Sequence, residues 1–370
     1  MKLALNYYQF IRSGGLENYL IEFATRLKAA GHEIELVTAK IAPEVEAKLG
    51  MPVHRISVPT SSRSLAVWRF AQESGKVLSD VGADVSIGFG RTWKHDLHRA
   101  GGGCHAIYSR LLPPWKRFAP KNLMELHMEK RLYTAGETQN FITNSERVAA
   151  QLQGAYRTAA ERFTTIHTAV ETQLFRPSEN RAAQRADICQ KMKTDPAKPV
   201  LLFVSLSHRR KGLDALLTAM KKVDATLWIA GKPLGRWYET QIQTLGIGAK
   251  VRTVAVTNSL IELYQVADWF VHPTLYDACA NTVLQSMACG LPGLISSQDG
   301  AVDHICDGMN GFMLNHPRDP EKLVQTIRQA LDLTEAERQA LGEAARETME
   351  ALTWEHHLSC WEKVFSTVQH

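Results

Sequence analysis

The chain of 370 residues has no run of eighteen apolar residues and no low-complexity tract. A spanning helix needs about twenty apolar residues, so none is expected, and 45% apolar with 22% charged residues is the balance of a folded globular chain. The six cysteines, Cys104, Cys189, Cys279, Cys289, Cys306 and Cys360, include no CxxC pair, and several lie in apolar runs where a thiol behaves as a small hydrophobe. Neither a zinc site nor a disulfide framework is expected. The opening MKLALNYYQF lacks the longer apolar stretch and small-residue cleavage site of a secretory signal, which makes a cytoplasmic location the expectation. The net charge of +5 is small and no nucleic-acid recognition motif accompanies it, so nucleic acid is not an expected partner.

What is present is alternation. MKLALNYY reads as a buried strand, Leu16, Tyr19, Leu20, Phe23, Ala24 and Leu27 recur at helical spacing, and HEIELVTAK follows Gly31 as a second strand. This βαβ opening predicts a parallel sheet, with further strands at DVSIGF and NFITNS. After the polar stretch Pro177 to Pro199, the segments VLLFVS, TLWIAG, KVRTVAV, WFVHPT, LPGLIS and GFMLN alternate with helical ones. The length exceeds what one core organises, and the polar stretch reads as a linker with a short helix, so two doubly wound Rossmann-like domains are expected, 1–178 and 179–352. The cleft between them would be the natural active site. A last amphipathic helix in 353–370 could pack back on the first domain.

The segment YDACANTVLQSMACGLPG, Tyr276 to Gly293, leads from a strand into a helix starting near Asn281. Ligands of open α/β sheets bind at such corners, where helix N-termini offer free amides to anions. The amides of Ala280, Asn281 and Thr282 are therefore candidates for holding a diphosphate. Asp277 precedes the helix and Gln285 lies one turn inside it, on the face of Asn281, so one could reach a sugar and the other a nucleoside. Equally, Asp277 could cap the helix and Gln285 could be an ordinary polar residue of a buried helix. The turn SLSHRRKGLD supplies a second corner with His208, Arg209, Arg210 and Lys211, suited to the charge of a nucleoside diphosphate or simply to a solvated loop.

The order RKG, then a Y-D loop eight residues ahead of an amide, then MACGLP resembles family 4 glycosyltransferases of the GT-B fold, and is similar to the lipopolysaccharide core glucosyltransferases among them. GGLENYL, FITNSERVAAQL, TIHTAVETQLFRP and ELYQVADWFVHPT extend the likeness over nearly the whole chain. The resemblance implies an E-x7-E pattern whose first acid binds donor-sugar hydroxyls and whose second binds ribose. Asp277 and Gln285 stand there, one a methylene shorter and one uncharged, although an amide still bonds ribose hydroxyls. Ser205-Leu206 replaces the family's Gly-Arg, so Arg210 and Lys211 would carry the phosphates.

In the first half, Gly14 and Gly15 form either a plain tight turn or a close approach to the diphosphate, which the resemblance favours. His105 follows three glycines and matches a histidine near the reacting sugar, with Asp96 and His98 as second-rank candidates; a structural histidine is the competing reading. No carboxylate pair suited to a double displacement is evident. The resemblance implies front-face substitution with retention, in which the acceptor hydroxyl attacks as the diphosphate leaves and a phosphate oxygen takes the proton. Arg210, Lys211 and the helix amides would stabilise the leaving group, and the lack of a DxD motif agrees with a metal-independent site.

No cofactor is expected, since the nucleotide sugar, UDP-linked by preference, is a substrate. Base contacts near Val254 to Val256 would run through backbone groups. Ile107 to Arg131 interleaves Leu111, Leu112, Trp115 and Phe118 with Arg110, Lys116, Arg117 and Lys121, which suits an anionic bilayer surface or an ordinary loop and helix. The expected activity is hexose transfer to a cell-envelope glycan such as lipopolysaccharide core, at the inner face of the cytoplasmic membrane. A soluble acceptor, or a catalytically weak sugar-nucleotide-binding protein, are the alternatives.

Overall fold

A computed structural model describes residues 1–11, 14–59, 61–255 and 260–368. The chain forms two compact units, Met1–His167 with His357–His370, and Thr168–His356. The first holds a seven-stranded parallel sheet of β1 (Lys2–Asn6), β2 (Glu33–Thr38), β3 (Val53–Arg55), β4 (Val85–Gly88), β5 (His95–Arg99), β6 (Thr138–Thr143) and β7 (Phe163–Thr165). Its order is β3-β2-β1-β4-β5-β6-β7, so the direction of winding reverses between β1 and β4. Helix Gly15–Ala29 buries Leu20, Phe23, Ala24 and Leu27, the apolar stripe expected from their spacing.

Strand β5 was not among the expected strands, and it carries Asp96 and His98, the second-rank candidates. Two of its polar side chains are engaged inside the sheet. The His95 and His98 rings stack 5.3 Å apart, and Asp96 accepts from Ser86 N at 2.8 Å and Ser86 Oγ at 2.7 Å. Asp96 therefore ties β5 to β4 and is not a candidate for chemistry.

In the second unit, β8 (Val200–Ser205), β9 (Thr226–Gly231), β10 (Val251–Ala255), β11 (Trp269–His272), β12 (Gly293–Ser296) and β13 (Gly311–Leu314) lie in the order β10-β9-β8-β11-β12-β13, all parallel. Leu202 and Val204 face one core and Leu201 and Phe203 the other, the period-two alternation of a strand covered on both sides.

The crossing between units falls at His167–Thr168, eleven residues ahead of the expected boundary at 178. Segment 177–199 is no linker. Its helix Arg181–Lys191 buries Ile188 and Cys189 in the second core, and Arg181 and Arg185 both pair with Asp268, at 2.7 and 2.9 Å. The chain returns at His357, within the helix Trp354–Phe365, where buried Trp361 lies 5.0 Å from Phe23 between ring centroids and His357 Nε2 lies 2.8 Å from the Tyr19 hydroxyl. No helix among the described residues is long and apolar enough to cross a membrane.

Candidate active site

In the second unit the sheet order reverses between β8 and β11, which opens a crevice at their carboxyl ends. The loops leaving these two strands are strapped together there. Leu275 N donates to Arg210 O at 2.8 Å, and Thr274 Oγ1 to the same carbonyl at 3.2 Å. So close an approach requires Gly212, whose φ is +83° and whose added Cβ would sit 2.0 Å from Pro273 O. The glycine of the RKG corner is thus fixed by packing.

The strap aligns three charged side chains. Arg210 Nη1 lies 2.8 Å from Asp277 Oδ2 and also donates to Tyr276 O, while Lys211 Nζ lies 2.6 Å from the same carboxylate oxygen. Burial pushes the Asp277 carboxyl up, but Lys211 and Arg210 outweigh it and hold the group below the usual carboxylate range. Two cations against one carboxylate leave the corner with one positive charge.

Behind Lys211 stands a pair the sequence reading missed. Lys211 Nζ is 3.3 Å from His272 Nε2, which is 3.0 Å from Asp299 Oδ2, and neither His272 nor Asp299 is exposed. Burial, then Lys211, lowers the His272 pKa, so the ring is neutral at pH 7. His272, Asp277 and Asp299 bring ligand atoms within 4.8 Å of one another, the one such trio among the described residues, yet an ammonium of the protein already meets two of its members.

Helix Asn281–Ala288 begins at this corner, with Ala280 as its cap and no side-chain capping bond. Asp277 is therefore not a cap. The Ala280 amide, expected to be free, donates to Asp299 Oδ1 at 3.0 Å. Asp299 also accepts from Ala301 N at 2.8 Å and so pins the helix start to the loop after β12. The amides of Asn281 and Thr282 have no partner among the described residues, and Thr282 Oγ1 is a buried hydroxyl without one. Gln285 is half-buried and its amide makes no hydrogen bond there.

Two members of the basic cluster turn away from Asp277. His208 Nε2 bonds Lys232 O at 2.9 Å, and exposed Arg209 reaches towards Asp214 at 3.8 Å. Both line a groove of about 590 Å³ with Trp237 and Tyr238. Val256 lies outside the described residues, as do Arg12 and Ser13 ahead of the glycine pair.

Gly14, Gly15 and His105 belong to the first unit. Gly14 caps the helix Gly15–Ala29 in an extended conformation, and a Cβ there would crowd only the flexible Glu17 carboxylate, at 2.9 Å. The backbone does not demand glycine at that position. The His105 ring is buried, with Nε2 2.8 Å from Asn122 Oδ1 and 3.3 Å from Glu125 Oε2. Burial, then Arg91, lowers its pKa, against Glu125 and Glu129. The glycines do not wall it as expected, because the space beside Gly101 is filled by Arg99, whose Nη1 lies 2.1 Å from where a Cβ would be.

What Gly102 and Gly103 do line is a cavity of about 380 Å³ with His98, Arg91, Glu125 and Glu129, which the His105 ring does not reach. Glu129 accepts from the amides of His105 at 2.8 Å and Ala106 at 2.9 Å, and so sets the first turn of His105–Ser109. Glu125 and Glu129, one helical turn apart in MELHME, were legible as a same-face carboxylate pair but were not singled out.

The sequence model described as Glycosyltransferase Family 4 matches residues 13–174, and that described as Glycosyl transferases group 1 matches 184–348. The chain belongs to the family 4 glycosyltransferases. Among its relatives, the lipopolysaccharide glucosyltransferase WaaG of Escherichia coli is 24% identical over 90% of either chain. A D-inositol 3-phosphate glycosyltransferase of Catenulispora acidiphila is 25% identical over 86% of this glycosyltransferase and 83% of its own length. The crystal structure of WaaG superimposes with a TM-score of 0.78, at 22% identity and 99% coverage of both chains, and that of Anabaena HepE with UDP-glucose with 0.75, at 15% identity, covering 99% of this chain and all of its own. The fold is GT-B.

Proposed function

We propose that this glycosyltransferase takes a hexose from a UDP-linked sugar and passes it, with retention and without a metal, to a cell-envelope glycan such as lipopolysaccharide core. The observation that carries the reading is the Arg210–Lys211–Asp277 corner facing a helix start with two uncommitted amides. As the glycosidic bond breaks, negative charge grows on the leaving diphosphate, and Lys211, Arg210 and the amides of Asn281 and Thr282 are the groups to receive it. Asp277 is bound to both cations, which suits it to orienting them and a sugar hydroxyl rather than to attacking the anomeric carbon. Retention then follows from front-face attack by the acceptor hydroxyl, with a phosphate oxygen taking its proton. Lys211 beside His272 and Asp277 supplies the positive charge that a divalent ion would bring.

A UDP-linked donor is supported by HepE, whose structure holds UDP-glucose, and an envelope acceptor by the role of WaaG in lipopolysaccharide biosynthesis. A lipid-borne acceptor agrees with the surface of segment 107–131, where Trp115 and Phe118 are 74% and 68% exposed beside Lys116, Arg117 and Lys121. Basic residues near an anionic bilayer are worth about 1 kcal/mol each, and exposed aromatics insert at its interface.

The test is UDP release from UDP-glucose, with GDP- and ADP-sugars as controls. Slow release that a core glycan accelerates and EDTA leaves unchanged is expected. Failure of every nucleotide sugar to raise the melting temperature would sink the donor reading. Flotation with anionic liposomes should be lost in Trp115→Asp/Phe118→Asp, and a wild-type protein that stays unbound at low salt removes the membrane from the account.

A further inference from the structure

The cavity of the first unit holds acids and bases that differ in how far they are committed to one another. Its carboxylates have local donors. Glu129 is held by two backbone amides and the Tyr156 hydroxyl, Glu17 accepts from Tyr7 OH at 3.1 Å and Gln9 Nε2 at 3.3 Å, and Glu125 faces His105. Apart from Arg99, which lies 3.7 Å over the Tyr19 ring, the cations do not have such partners. Arg63 and Lys121 form no hydrogen bond or ion pair among the described residues, although both line the cavity.

Arg91 comes nearest a partner at Glu125 Oε2, 3.8 Å away, too far for a hydrogen bond, and its Nε is buried without an acceptor. A buried guanidinium donor left unpaired carries a desolvation penalty that a ligand oxygen would remove. Arg91 is also central. Its charge acts on Tyr7, His98 and His105, and that of Arg63 acts on Tyr7 as well. Beside them His98, 4% exposed, lines the cavity with Nδ1 unpartnered. Burial, then His95 and Arg99, keeps its ring neutral, which suits a hydroxyl rather than a charge.

We propose that this cavity recognises an acceptor sugar bearing an oxyanion, a phosphate monoester or a carboxylate, which Arg91 binds in forked geometry with Arg63 and Lys121 around it, while His98 and Glu125 bond ring hydroxyls. This rests on reading the chain as a transferase whose acceptor enters the first unit. The guanidinium matches two oxygens of either anion, and with Arg63, Arg91, Arg99 and Lys121 set against Glu17, Glu125 and Glu129 the lining keeps one positive charge that a neutral sugar would leave unanswered.

Titration calorimetry of the full-length protein with glucose 6-phosphate, glucuronate and glucose at low salt tests the proposal. At least about tenfold tighter binding of one anionic sugar than of glucose is expected, and which anion wins identifies the group. Arg91→Gln should reduce that preference about tenfold, Lys121→Gln should reduce it less, and exposed Lys130→Gln on the same helix should leave it unchanged. Equal affinity for all three sugars, no binding of any, or a preference untouched in Arg63→Gln/Arg91→Gln would overturn it. UDP-glucose binding in the same variants reports folding and the donor site separately. Loss of donor binding in the wild type would count against the proposed function while leaving an anion preference of the cavity standing.

Discussion

The two units place charge at their ligand sites in opposite ways. In the second, the cations and the carboxylate bind each other across two strapped loops, with His272 and Asp299 fixed behind them, so the corner is assembled before any ligand arrives. In the first, Arg63 and Lys121 stand uncommitted around an open cavity, and Gly102 has nothing within 4 Å of where a Cβ would lie. Preorganised charge lowers the cost of meeting a developing negative charge, which is what a leaving diphosphate requires. An open cavity with free cations instead suits a partner that brings its own charge. On the proposed function, the difference teaches that donor chemistry would reside in rigid geometry and acceptor choice in side-chain inventory.

The sharpest way to break this contrast is at Lys211. Lys211→Ala leaves the Asp277 carboxylate with Arg210 alone and removes one of the two side-chain cations proposed to hold the diphosphate. Transfer measured as kcat/KM should fall by at least about a hundredfold. Adding Asp277→Asn should lower the melting temperature further, because Arg210 then loses its carboxylate partner as well, and turnover should not recover. Wild-type turnover in Lys211→Ala would mean that the corner is a structural ion pair.

Next in size is the strap. Gly212→Ala places a Cβ 2.0 Å from Pro273 O at a φ of +83°, so the second unit should lose about 3 kcal/mol of stability, read from denaturant unfolding. Gly102→Ala in the first unit meets open space and should be near neutral. If both substitutions behave alike, the rigid-versus-open distinction fails.

The same contrast explains what the sequence disclosed. The Arg210–Lys211–Asp277 corner was legible because its parts sit in two short motifs, RRKG and YDACANT, at strand ends whose apolar runs announce themselves. His272 and Asp299 were missed because each is a single polar residue at a strand end or in a turn, and only the order β8-β11-β12 brings them together. The cavity of the first unit draws on Tyr7, Arg63, Arg91, His98, Lys121 and Glu129, from segments that no motif connects. Its strand β5 was hidden because HDLHR is polar, and its burial depends on ring stacking and on Ser86 of the neighbouring strand.

The smallest expected effect falls on the residue that departs most from the family pattern. Gln285 is half-buried, and its side chain makes no hydrogen bond among the described residues, so it does not hold the corner together. An amide and a carboxylate both accept from ribose hydroxyls, the amide adding donors and the carboxylate a charge. The corner carries net positive charge from Arg210 and Lys211, which would tolerate that added negative charge. Gln285→Glu should therefore leave UDP affinity within about threefold of wild type, or tighten it, as read by calorimetry. An abolished activity with UDP binding intact would assign Gln285 to the sugar or the acceptor instead, and would move the boundary between the preassembled part of this site and the part that awaits its ligand.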